Sequence, residues 1–191
     1  MKIQKADSII GIDYSLNSPA ICVVDKENTF DFNKCQFYFL TNKKKYIGKM
    51  RHNIIGDEIQ EYTSPIHRFA NISDWVCNIL SKTINHKIFI EGYSYGSKGQ
   101  AVFQIAENCG ILKYRLSLLH NIEYDTVVPS VVKKYASGKG NADKELMYQT
   151  LKKETKVDLM KDFDQQKLNN PVTDIVDAYY IAKVGYENQS N

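Results

Sequence analysis

Two short apolar runs of the 191-residue chain end in an acid: Ser8-Ile9-Ile10-Gly11-Ile12 leads into Asp13, and His86-Lys87-Ile88-Phe89-Ile90 leads into Glu91. Two more acids, Asp174 and Asp177, stand three apart within Val172-Thr173-Asp174-Ile175-Val176-Asp177-Ala178-Tyr179-Tyr180-Ile181-Ala182, a spacing that puts both on one helical face. Their neighbours are almost wholly apolar, which places these acids at the edge of a core. A lone acid there is costly unless paired, and several together repel. Divalent cations resolve that conflict. Oxygen donors without Cys or His suit Mg²⁺ or Mn²⁺, normally shared between one or two carboxylates and a substrate's phosphate oxygens. Two such ions ~4 Å apart can activate a water and stabilise the leaving oxygen in phosphodiester hydrolysis. Each acid also has a blander reading, since D-x-x-D on a helix is commonly an exposed or salt-bridged pair and a strand-terminal Asp often caps the next turn. The ordered set is more specific than its members.

The elements that must position these acids follow from the hydrophobic pattern. Residues 8–13 read as a buried strand, 20–24 as a second and 30–40 as a third, joined by short turns into an antiparallel meander. Residues 41–62, with Lys43-Lys44-Lys45, Lys49 and Arg51, break the periodicity and read as an inserted basic loop. Such a run is more often a solvated face than a DNA arm. Ser64-Pro65 gives an N-cap and a first-turn proline for a helix. A strand over 86–91, a loop over 92–99, a long apolar helix over 100–119 and a strand over 124–128 follow. Ser130 and Asn141 are candidate caps of two short helices, residues 158–167 read as loop or frayed helix, and Asn170-Pro171 opens a last helix running to about Tyr186. Residues 187–191 read as a disordered tail. The order is mixed α/β, in one domain over 1–186.

The composition is that of a globular chain, 43% hydrophobic and 25% charged, which argues against a disordered or fibrous protein. No apolar run reaches the ~18–20 residues of a membrane helix and the N-terminus lacks a signal-peptide pattern, so a cytoplasmic protein without a membrane partner is expected. The net charge of +3 permits a polyanion partner without requiring one. Cys22, Cys35, Cys77 and Cys109 are scattered, and His52, His67, His86 and His120 form no cluster, so a structural zinc site is not expected and the thiols read as reduced core residues. Richness in Lys, Asn, Ile and Tyr with scarce Arg fits an AT-rich genome and suggests a phage or other virus as source.

The order of the acids carries a resemblance. Gly11-Ile12-Asp13-Tyr14-Ser15, Ile90-Glu91 and Asp174-Ile175-Val176-Asp177-Ala178 resemble the acidic core of RuvC-type Holliday-junction resolvases, within the RNase H-like superfamily. Pro129-Ser130-Val131-Val132-Lys133-Lys134-Tyr135-Ala136-Ser137-Gly138-Lys139-Gly140-Asn141-Ala142-Asp143-Lys144 resembles that family's P-x-x-V-K…G-x-G-x-A-x-K stretch, which generic RNase H-like proteins lack. The likeness runs in order over residues 8–184, apart from 41–62 and 155–169. It implies an RNase H-like α/β fold with a mixed five-stranded sheet flanked by helices on both faces. Asp13, Glu91, Asp174 and Asp177 would hold two Mg²⁺ ions, with Mn²⁺ able to substitute. Lys144 would join them in catalysis, and Lys133, Lys139 and Lys144 would contact DNA phosphates. Tyr93 or Tyr95, in the loop after the second acid, would stack on an opened base.

The implied activity is Mg²⁺-dependent cleavage of four-way and other branched DNA junctions by paired nicks that leave 5′-phosphate and 3′-hydroxyl ends. Ala101, Val102, Ile105, Cys109, Leu112 and Leu116 form a core stripe, but further apolar residues such as Phe103 lie on other sides of that helix, and the resemblance implies a homodimer through it. Three rivals are weighed. Another RNase H-like nuclease, such as an RNase H or a terminase-type enzyme, is opposed by the 138–144 stretch. An actin-like or sugar-kinase-like phosphotransferase shares Gly11-Ile12-Asp13 but needs a second glycine-rich motif where D-I-V-D-A stands, so no nucleotide cofactor is expected. A silent junction-binding protein is opposed by retention of all four acids.

Overall fold

The computed structural model describes residues 7–93 and 100–188. Strand β1 (Asp7–Asp13) pairs antiparallel with β2 (Ala20–Asp25), which pairs antiparallel with β3 (Gln36–Thr41). On its other side β1 pairs in parallel with β6 (Ile84–Glu91), and β6 with β7 (Tyr124–Val127). These five strands are the expected mixed sheet. Two more, β4 (Gly48–Arg51) and β5 (Ile54–Glu58), extend it to seven in the order β4-β5-β3-β2-β1-β6-β7.

The added strands correct the reading of 41–62 as a loop. Its first part is a 3₁₀ turn, Lys44–Tyr46, whose tyrosine is buried and meets Phe163 edge-on at 5.4 Å. Strand β5 then runs parallel to β3, with Phe37 opposite Ile54 and Phe39 opposite Gly56. A Cβ on Gly56 would run into the Tyr46 carbonyl and the Phe39 ring, so the pairing depends on the glycine. The pattern was hidden because the two strands are short and only Ile54 among their apolar residues is fully buried. The third strand is also shorter than expected. Residues 30–35 form a turn whose carbonyls at Phe32 and Cys35 accept from the buried Asn53 side chain, at 2.7 and 2.9 Å, in place of a strand neighbour.

Helix α1 (Pro65–Leu80) starts as its sequence dictates, with Ser64 Oγ accepting from His67 N and Pro65 at the first position. Its buried stripe of Phe69, Ile72, Val76, Ile79 and Leu80 covers one face of the sheet together with α2 (Gln100–Tyr114), which ends in a π-helical turn, Arg115–Leu119. The outward residues of this side of β1 are Ile10 and Ile12, and they enter the same core as Cys109, Leu112 and Leu116. The core reading of that α2 stripe therefore holds for Ile105, Cys109, Leu112 and Leu116, whereas Val102 is half-buried outside that core, and the Ala101 side chain lies outside the described residues.

The opposite face carries α3 (Pro129–Ser137), α4 (Lys144–Thr155), the single turn α5 (Leu159–Asp162) and α6 (Val172–Asn188). Two expected caps move. Val128 rather than Ser130 precedes α3, which starts on Pro129, and Asp143 rather than Asn141 caps α4, its carboxylate accepting from Leu146 N at 2.8 Å. Helix α3 stops at Gly138, whose φ of +78° closes it with a left-handed residue. Helix α6 continues through Glu187 and Asn188, so the disordered tail does not begin at 187, and 189–191 lie outside the described residues.

Helix α6 is the element on which the site depends, and thirteen of its 17 residues are buried between the sheet and the outer helices. It lies almost on the backbone of β1, because a Cβ on Gly11 would overlap the backbone at Ala178 and Ala182. Gly185 repeats the device one strand over, beneath the Phe89 ring of β6. On the far side Glu154 of α4 accepts from Tyr179 Oη at 2.8 Å and from Lys183, which fastens α6 to the outer layer.

Candidate active site

Strand alternation decides where the acids point. Residues 9, 11 and 13 of β1 face α6, and on β6 the residues 89 and 91 do so too, since Gly11 lies opposite Phe89 and Ile12 opposite Ile90. Asp13 and Glu91 therefore leave adjacent strand ends on the side that carries Asp174 and Asp177. Asp13, Asp174 and Asp177 are buried, at 7%, 5% and 6% exposure, yet all three are charged residue types.

The four acids feel one another. Burial pushes the Asp13 carboxyl well above the usual range, and Asp174, Asp177 and Glu91 push it further, against Lys144. Glu91 is raised to about 7, by burial and then Asp177, and Asp174 to about 7, chiefly by burial against the pull of the Ser18 hydroxyl and Lys144. Burial likewise raises Asp177, opposed by Lys144 and Lys133. The Lys144 side chain is 55% exposed along its length, but its ammonium reaches in to pair with Asp177. Burial alone would lower its pKa, and the attraction of Asp177 and Asp13 wins and raises it.

Positive charge at this site thus comes from Lys144, with Lys133 as a weaker neighbour, against four acids. Asp174 Oδ2 is buried with no hydrogen-bond partner, while Oδ1 is approached by the Thr173 hydroxyl at 3.4 Å. An orphaned carboxylate oxygen in a buried, all-oxygen cluster is a donor set suited to a hard divalent cation. Among the described residues no three carboxylate, His or Cys side chains already close on one point as a finished cage would. The residues fit such an ion in donor type and charge, and would have to draw together around it. Asp13, Glu91, Asp174 and Asp177 are the side chains that could hold it.

The remaining expected contacts divide. Lys133 is near enough to the cluster to lower Glu91 and Asp177, as an electrostatic neighbour on α3. Lys139 is exposed in the α3–α4 loop, where its backbone N–H donates to Ser137 Oγ at 3.2 Å, and it does not join the carboxylates. Tyr93 is 48% exposed, beside the Cys109 thiol, with Lys113 Nζ 5.1 Å from its ring centre. Tyr95 lies outside the described residues. A groove of about 400 Å³ runs along Asp13, Glu91, Tyr93 and Asp174 and is walled by Val102, Ile105 and Asn170. Tyr93 therefore stands at the edge of the groove that holds the acids.

Sequence reading missed the supports. Ser18, fixed by Ser15 Oγ accepting from its N–H at 3.1 Å, stands near Asp174, and the Thr173 hydroxyl donates to Asn170 Oδ1 at 2.8 Å just before α6. Small polar residues in turns carry no periodic signal, and only their place next to Asp13 and Asp174 in the chain could have marked them. The four thiols form no disulfide, and burial raises those of Cys22, Cys77 and Cys109, which disfavours the thiolate form. No described helix is long and apolar enough to cross a membrane.

No protein-family model matches the sequence, and no curated protein does. Solved structures do match. RuvC from Thermus thermophilus aligns over 96% of both chains with a TM-score of 0.59 at 14% identity. The T. thermophilus RuvC in complex with a Holliday junction substrate gives 0.63 at 12% identity, again over 96% of both chains. The yeast mitochondrial Holliday junction resolvase Ydc2 gives 0.53 at 15% identity over 98% of this chain and 82% of that one. The fold is that of RuvC-type proteins, an RNase H-like architecture, with seven strands in place of the five expected.

Proposed function

We propose that the chain is a Mg²⁺-dependent endodeoxyribonuclease that resolves four-way and other branched DNA junctions. The observation that carries this reading is that Asp13, Glu91, Asp174 and Asp177, from two strands and a helix, are near enough to act on one another's charge, with Lys144 paired to Asp177. The RuvC-type fold supports it, since one solved neighbour is in complex with a Holliday junction substrate. In this reading the four acids hold the metal ions, with Mn²⁺ as a substitute. When bound, the ions supply an activated water and stabilise the leaving oxygen, giving 5′-phosphate and 3′-hydroxyl ends. Lys144 and Lys133 offset the charge that builds on the phosphorus oxygens, and Lys139 and Tyr93, with Tyr95, extend the DNA contact. The enzyme works in the cytoplasm, that of the host if the source is viral, and needs no nucleotide cofactor.

A homodimer completes this reading, because paired nicks across a symmetric junction require two sites. Support comes from the outward side of α2 and its π-helical turn, where Phe103, Tyr114 and Leu118 are 70%, 54% and 74% exposed. Gly110 lies between them with open space above it, which leaves room for a second helix to approach closely.

The test incubates purified protein and Mg²⁺ with four-way, Y-shaped and linear duplex DNA and an RNA/DNA hybrid, alongside Asp13→Asn. Paired symmetric nicks in the four-way junction, abolished in Asp13→Asn with binding kept, are expected. Preferred cleavage of the hybrid would transfer the chain to the RNase H reading, and activity that survives Asp13→Asn would overturn the site.

A further inference from the structure

Arg68 sits at the start of α1, far along the chain from the acids, yet it is fastened to the loop that follows Asp13. Its Nη2 donates to the Leu16 carbonyl and to Asn17 Oδ1, both at 2.5 Å. Its guanidinium lies 5.3 Å from the centre of the half-exposed Tyr62 ring. Nε is buried without a partner, and no carboxylate pairs with Arg68 among the described residues. The guanidinium is thus held through Nη2 by two neutral acceptors, which leaves Nη1 as the donor for a ligand.

Lys43 lines a cleft with it, and Lys43 Nζ donates to the Asn170 carbonyl at 3.3 Å. The cleft measures about 510 Å³, and its one carboxylate is Glu61. Asn17 and Asn170 line both this cleft and the groove that holds Asp13 and Asp174, so the two spaces adjoin. Beyond Arg68 in the other direction lies a groove with Asp57, Glu58, Glu61 and Asp74 on its walls. A polyanion leaving the acids is repelled there and attracted on the Lys43 side. A guanidinium held in place by its Nη2 presents Nη1 as a pre-set donor for a charge-assisted hydrogen bond to one phosphate oxygen, which a freely rotating lysine does less well.

We propose that this cleft binds a backbone phosphate of the cleaved DNA strand next to the scissile one, with Arg68 as the main contact and Lys43 as the second. The inference rests on the nuclease reading above, and names the path by which its strand leaves the acids. Neither residue belongs to the acidic set or to the 129–144 stretch. Lys43 precedes β4, and Arg68 lies in α1, the helix that follows β5.

The test places single uncharged methylphosphonate linkages stepwise along the cleaved strand of a four-way junction and measures affinity against salt in an Asp13→Asn background. One linkage near the cleavage point weakens binding about tenfold, the scale of one charge-assisted hydrogen bond. Arg68→Ala weakens binding of the unmodified junction by a similar factor, reduces the salt slope by about one, and abolishes the effect of that same linkage. Arg68→Lys restores part of the affinity. Should Arg68→Ala melt early because it frees the 14–18 loop, Lys43→Ala, which loses one exposed hydrogen bond and a 5.8 Å approach to the Tyr46 ring, carries the same cycle with a smaller factor. If the effects of Arg68→Ala or Lys43→Ala and of every linkage simply multiply, the cleft holds no phosphate, although the nuclease reading stands. If the wild-type chain neither binds nor cuts branched DNA, that reading falls and the cleft's role falls with it.

Discussion

At the scale of single residues, the site is a store of protons when no cation is present. Glu91 and Asp174 titrate at about 7, and Asp13 and Asp177 are also raised, chiefly by burial. Unfolded carboxyls titrate near ~4. Between those values the folded chain binds more protons than the unfolded one, so metal-free stability is fully present below ~4 and falls as pH rises through about 7. Asp158 runs the other way. Its carboxylate is held to about 2 by Lys152 and Tyr148, so its small, exposed contribution is fully present above ~4 and is lost as pH falls from there through about 2. The expected outcome is a melting temperature of metal-free protein that drops from pH 5 to pH 8, with Mg²⁺ restoring it at pH 8 far more than at pH 5. Asp174→Asn should flatten that profile, and a flat wild-type profile would contradict the rise of these carboxyls by burial and mutual repulsion. Lys144→Met removes the ammonium paired with Asp177 and should lower junction cleavage roughly 10²–10³-fold, as for loss of one preorganised electrostatic group, measured in single-turnover assays.

At the scale of elements, the contact between β1 and α6 sets the separation of Asp13 from the helix acids. Gly11→Ala would push the Ala178 and Ala182 backbone outward, at about 1–3 kcal/mol of overpacking, and would carry Asp174 and Asp177 with it. Calorimetry should show the lost stability, and Mg²⁺ affinity should fall in the same variant. Much of this element plan was legible in the sequence. Asp13 and Glu91 end runs of buried residues, and Asp174 and Asp177 sit three apart in a helix with no polar face, so both signals survive without any contact information. The added β4 and β5 were not legible, because a strand of four or five residues with Lys49, Arg51, Asp57 and Glu58 in it alternates too briefly to stand out from a loop. The shift of the α4 cap to Asp143 was missed for a different reason, since Asn141 and Asp143 are both good caps and only the chain's path chooses between them. Arg68 could not be placed at all, as its partners at Leu16 and Asn17 are some fifty positions away.

At the scale of the whole molecule, the two faces of the sheet are put to different uses. One buries α6 and shelters the acids, and the other presents α2, whose outer side exposes Phe103, Tyr114 and Leu118 with Glu107 among them. Phe103→Glu and Leu118→Glu should each convert a dimer into a monomer at micromolar concentration in sedimentation velocity, with little change in melting temperature, because both side chains are mostly exposed in the single chain. A wild-type chain that sediments as a monomer at every concentration would remove the dimer from the functional reading. The burial of α6 has a further consequence for how the molecule comes apart. Amides of residues 174–182, enclosed between sheet and outer helices, should exchange with deuterium only through global opening, whereas those of β4 and β5 at the sheet edge exchange through local fraying. Two of the four acids therefore belong to the slowest-opening unit of the chain, and in rising denaturant their arrangement should persist until the molecule as a whole unfolds.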